Sequence, residues 1–165
     1  MLWKSVTSLE MVLKELSNDI MLELVDKRIA ELTLFLRGEF GYESKDKEHI
    51  LDDLAGDCYK YVFLNGYLDL KLTFFFRMKY KEFPTVFHVY LENKKIGRLS
   101  LDDFLKKHKK ENTVHLFTLD PSNQTFEVFV DDFFNFIREL FQGFFKDYLT
   151  GVKFEDTPFN WMGMK

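Results

Sequence analysis

A chain of 165 residues and 19.8 kDa, 46% hydrophobic and 30% charged, has the size and balance of one soluble domain able to bury a core. Its twenty phenylalanines argue against disorder, and the single cysteine, Cys58, excludes an internal disulfide or a Cys-based zinc site. The net charge of −4 is concentrated early: residues 1–66 hold eight Lys/Arg against thirteen Asp/Glu, which argues against a nucleic-acid binder and allows a basic partner.

The chain opens MLWKSVTSLEMVLKEL, with charges too close together for a signal peptide, and nowhere approaches the roughly 20 apolar residues of a membrane span. A cytoplasmic protein with no membrane partner is expected. Residues 1–165 read as a single domain, with 152–165 a more loosely packed C-terminal tail.

Leu9, Leu13, Leu16, Ile20, Leu24, Ile29, Leu32 and Leu36 recur by threes and fours or close to it, predicting one long N-terminal amphipathic helix or two in line. Thr7 and Glu10 have the form of a capping box, and Gly38 is the expected stop. A second helix is predicted from Ser44 to Leu64, with Ile50, Leu51, Leu54, Cys58, Tyr61 and Val62 inward and Asn65-Gly66 ending it. The period then becomes twofold in DLKLTFFFRMKY, a half-buried strand, followed by strands TVFHVYLE and IGRL. Ser100 with Asp102 and Asp103 predicts an N-capped short helix, LDDFLKKHKK. VHLFTL and TFEVFV predict a hairpin around DPSNQ, and VDDFFNFIRELFQGFFKDYL a last long helix.

The expected fold is therefore α+β: an antiparallel sheet of four or five strands packed against long N- and C-terminal helices, in the order α-α-β-β-β-α-β-β-α. On the last helix the apolar residues from Phe133 to Tyr148 cover about half the circumference, more than one flat contact requires. A second apolar neighbour is needed, and the N-terminal helix of the same chain supplies it most economically.

No constellation of nucleophile, base, metal ligands or phosphate loop appears, so no catalytic residue, metal or cofactor is assigned. His49, Asp53 and Asp57 would share one face of the predicted second helix but drift too far apart for a single ion. Together with Glu39, Glu43, Asp46, Glu48 and Asp52 the carboxylates form the most acidic stretch of the chain. Lys106, Lys107, Lys109 and Lys110 read as helix-end cations matched to a dipole rather than as a phosphate track. An alternative reading is a small enzyme or ligand-binding protein with a pocket between sheet and aromatic helix, using His88 or His115 as its titrating group. A third is a structural subunit that uses WMGMK or the surplus phenylalanine face.

Residues 113–141 contain VHLFTLDPSNQTFEVFVDDFFNFIRELF, read as two strands leading into a helix that opens on Asp-Phe-Phe-x-Phe. This ending resembles that of the SUKH group of bacterial immunity proteins. The group's N-terminal Glu, Leu-Pro and Gly-Gly pattern has no counterpart here. The resemblance implies an α+β protein that neutralises a toxin domain, often a nuclease, by occluding its active surface. The expected function is accordingly a non-enzymatic immunity or antitoxin protein, a toxin inhibitor working by protein–protein interaction. Its expected partner-binding residues are Tyr42, Glu43, Glu48, His49, Asp52, Asp53 and Asp57, which would meet a basic toxin domain.

Overall fold

The computed structural model describes residues 2–52, 54–93 and 97–153. Helix α1 (Leu2–Phe40) leads into strands β1 (Glu43–Ser44), β2 (Glu48–Asp52), β3 (Gly56–Asn65), β4 (Leu70–Arg77), β5 (Val86–Asn93) and β6 (Gly97–Ser100). Helix α2 (Leu101–Lys107), a 3-10 helix (Glu111–Phe117), α3 (Phe126–Gln142) and α4 (Lys146–Leu149) complete it. The α+β expectation holds: one antiparallel sheet in the order β1-β3-β4-β5-β6, with β2 also paired to β3, packs against helices from both ends of the chain.

The predicted second helix is instead the β1–β2–β3 edge of the sheet. The stretch CYKYVFLN is apolar in both phases, so helical spacing and alternation fit it alike, and periodicity cannot decide between them. Two facts beyond periodicity favour the strand. Its residues are largely aromatic and β-branched, and Gly56, at φ +82°, starts it in a conformation foreign to a helix interior. Tyr61 and Phe63 then face the core while Cys58 and Val62 are buried on the opposite side.

The predicted hairpin near residues 113–130 is likewise replaced. Thr125 accepts a hydrogen bond from Val128 N–H at 3.3 Å, starting α3 four residues before the predicted helix. Upstream, VHLFTL lies mostly in the 3-10 helix, which Thr113 ties to the Lys110 carbonyl, and only Thr118 bridges to Val86. The segment resembling the immunity-protein ending therefore folds as 3-10 helix, turn and α-helix rather than as two strands and a helix. Ser100 precedes α2 as expected but makes no side-chain cap.

The core lies between one face of the sheet and α1, α2, α3 and α4. Phe74, Phe76, Phe87, Phe133 and Phe141 are fully buried there, and Phe87 stacks on Phe133 with ring centroids 4.1 Å apart. Helix α1 is the second neighbour that α3 requires: Val25, Ile29, Leu32 and Leu36 join Phe134 in the same core, and Arg28 pairs with Asp131. At about 1.5 Å per residue α1 is roughly 58 Å long, and among its described side chains the apolar ones that pack on the core run from Met21 to Phe40. Leu9, Leu13 and Ile20, expected to face inward, are exposed. Because the helix begins at Leu2, Thr7 lies inside it rather than capping it. It ends at Gly41 (φ +71°), not Gly38, where Gly41 N–H donates to the Arg37 carbonyl at 3.2 Å.

Candidate functional site

The side chains nominated from the sequence fall along the β1–β2–β3 edge. Residues 43–51 are all exposed: among the described residues β1 and β2 pair only with β3, and their outer edge is open. Glu43, Glu48, His49 and Asp57 remain surface residues, now presented by a sheet edge. Asp53 lies outside the described residues, and Asp52 is placed by its backbone, opposite Gly56. Tyr42 is corrected: it is fully buried, its hydroxyl donating to the Leu149 carbonyl at 2.8 Å, and it locks the end of α1 to α4 rather than serving as a surface anchor. Burial pushes its phenol well above the usual range.

His49 and Asp57 do share a face, though through strand pairing. His49 is opposite Tyr59 and Asp57 opposite Leu51, and His49 Nε2 lies 2.7 Å from Asp57 Oδ1. The imidazole also stacks on Tyr59 at 4.6 Å. Beside it Tyr61 donates to Asp26 Oδ1 at 2.6 Å, and Lys47 pairs with Asp26 Oδ2 at 2.9 Å, which fastens the hairpin to α1. Burial is the main cause of the raised Tyr59 phenol pKa, with Asp57, Asp19 and Asp26 adding to it, so carboxylates from both α1 and β3 converge here. Leu51 is exposed on this face beside Asp57, and Ile50 is exposed on the other.

The opposite face of the sheet carries a second group of side chains, most of which sequence reading passed over. Cross-strand register sets Glu48, Lys60, Phe75 and His88 in one row and Cys58, Arg77 and Val86 in the next. Val62, Thr73, Tyr90 and Ser100 form a third row, and Leu64, Lys71, Glu92 and Arg98 a fourth. Phe75 meets Tyr90 edge to face at 5.6 Å, and the Arg98 guanidinium lies 3.9 Å from the Tyr90 centroid. Lys71 and Arg98 both reach Glu92, at 4.0 and 3.5 Å. His88 Nδ1 sits 3.9 Å from Asp102 Oδ2. Burial pushes the Asp102 carboxyl up to about 6, while burial and then Arg77 hold the His88 imidazole below its ordinary value.

His88 is thus on the face away from α3, not in a pocket between sheet and aromatic helix, and that space is filled by Phe74, Phe76, Phe87, Phe129 and Phe133. His115 is exposed in the 3-10 helix, outside any strand. The signal for the open face was available in the phase of DLKLTFFFRMKY that holds Lys71, Thr73, Phe75 and Arg77, read simply as the solvent side. Among the described residues no cluster of three or more His, Cys, Asp or Glu is arranged to hold a metal, and no helix is long and apolar enough to cross a membrane. The comparisons give no family to which these features can be referred: no protein-family model, curated protein or solved structure matches the chain.

Proposed function

We propose that the chain is a non-enzymatic protein-binding module that captures a basic protein surface with its β1–β2–β3 edge. The observation that carries this reading is the exposure of every residue from 43 to 51 on a sheet edge left unpaired among the described residues, where Leu51 stands with His49 and Asp57 on one face and Ile50 with Glu48 on the other. On each face an exposed apolar side chain thus stands beside charged or polar ones, the mixture of which protein interfaces are made. Carboxylates at such a rim steer a basic partner and accelerate association more than they add affinity. The most concrete form is an immunity or antitoxin protein that covers the basic active surface of a bacterial toxin domain, such as a nuclease; the sequence resemblance of residues 113–141 suggests it, although that segment does not form the two strands on which the resemblance was read.

The test is association kinetics against a partner captured with the full chain. Glu48→Gln with Asp57→Asn should slow association about tenfold at low salt and flatten its dependence on ionic strength. Leu51→Ala should instead act mainly on dissociation. Unchanged kinetics in both variants would remove this edge from consideration.

A further inference from the structure

The open face of the sheet has an uneven distribution of unmet polar groups. Among buried side-chain polar atoms lacking a hydrogen-bond partner are Thr73 Oγ1, Arg77 Nε, Arg98 Nε and Asp102 Oδ1, all on or beside this face. Buried polar groups are ordinarily satisfied, so such a concentration calls for an explanation. Arg98 has a charge partner in Glu92, but Arg77 and Lys60 have no carboxylate within ion-pair distance among the described residues. Lys60 leans over the Phe75 ring, 5.9 Å from its centroid, although Glu48 is its cross-strand neighbour.

We propose that this face binds a terminal phosphate group, with Arg77 as its principal ligand and Lys60 and His88 as flanking donors. Register places the three around Phe75: Lys60 and His88 are its cross-strand neighbours on either side, and Arg77 is two residues along β4. With strands about 4.8 Å apart, Lys60 and His88 bracket a gap of roughly 10 Å that long side chains can close. Arg77 presents a planar fork matched to phosphate oxygens, and an acceptor at its unpartnered Nε would satisfy a buried donor. Three donors from three strands suit a phosphate better than a two-oxygen carboxylate.

The same charge layout argues for one phosphate rather than a nucleic-acid backbone. Farther along the strands Lys71 and Arg98 are already paired to Glu92, and Glu48 stands beyond Lys60, so a chain of phosphates would meet carboxylates on leaving the centre. The groups facing His88 are Phe75 and Arg77 from β4, Tyr90 from β5 and Asp102 from α2. An anion held beside Arg77 offsets the repulsion from that guanidinium and favours the imidazolium.

The experiment is an NMR titration of the His88 imidazole in the full chain, in inorganic phosphate and in chloride at matched ionic strength. Phosphate should raise the His88 pKa, and Arg77→Gln should weaken phosphate binding about tenfold or more, the loss expected for a hydrogen bond to a charged group. Lys60→Gln should weaken it less, and Arg98→Gln, removing an already paired cation, should leave it unchanged. If Arg77→Gln does not fold, the wild-type comparison and the Lys60 variant still decide the matter. Identical His88 titrations in the two salts would overturn the site. So would an equal loss in Arg98→Gln, or a short oligothymidylate binding more tightly per phosphate than inorganic phosphate does.

Discussion

On the covered face of the sheet Phe74, Phe76 and Phe87 are fully buried beneath α3, while on the open face their alternating neighbours Phe75, Arg77 and His88 are only partly buried. The same strands supply both sets, one residue apart, so secondary structure cannot account for the difference. The covered face has helices that match its apolar area, and its polar requirements are met almost entirely by the backbone. The open face must satisfy long polar side chains among themselves, and several buried atoms there have no hydrogen-bond partner among the described residues. The first is closely packed, and the second carries the polar side chains on which the proposed phosphate site rests.

Phe87→Ala puts the largest strain on this contrast. Phe87 is fully buried and meets Phe76, Phe129, Phe133 and Phe134, so truncation should cost about 3–5 kcal/mol, measured by urea unfolding. Phe75→Ala, one strand away on the other face, should cost only about 1 kcal/mol, since it removes a ring pair without opening a core cavity. Equal losses would mean that the open face is as tightly packed as the covered one.

Asp102→Asn tests the electrostatics of the open face in the opposite direction. The carboxyl's pKa in the folded protein, about 6, lies above its ordinary 3.8, so folding favours the protonated form. Its contribution to stability is present in full below about pH 4 and is lost as pH rises through 6. Asn should therefore stabilise the protein at pH 7 by roughly 1–2 kcal/mol, after allowance for partial exposure. That gain should vanish near pH 4, and unfolding curves at the two pH values would show it; a gain independent of pH would point to packing instead.

The smallest effect is expected on α1. Ile20 is exposed and Leu32 buried on the same helix, so Ile20→Ala should change stability by no more than about 0.5 kcal/mol, against about 2–5 kcal/mol for Leu32→Ala. A comparable loss at Ile20 would require a partner for the first half of α1.

Much of this architecture is legible in the sequence alone. Alternation marked β4, β5 and β6, and threefold and fourfold spacing the body of α3, because in each of these one phase is mainly apolar and the other mainly polar; the same spacing marked α1, although it also picked out Leu9, Leu13 and Ile20, which are exposed. The reading failed where both phases are apolar or where a capping residue outweighs alternation. CYKYVFLN suits a helix or a strand, and TFEVFV alternates although Thr125 starts a helix there. The candidate edge was legible as a charge run but not as a geometry: His49 and Asp57 meet through a hairpin register, and Tyr42 is hidden by a hydrogen bond to a residue 107 positions away.

The sequence by itself determined the α+β class, the aromatic core and the uneven charge, because composition and local period express burial directly. Tertiary structure decided which apolar half of α1 is covered, which face of the sheet stays open among the described residues, and which cations there pair with carboxylates. Those outcomes depend on contacts between residues far apart in the chain, and local spacing carries no information about them.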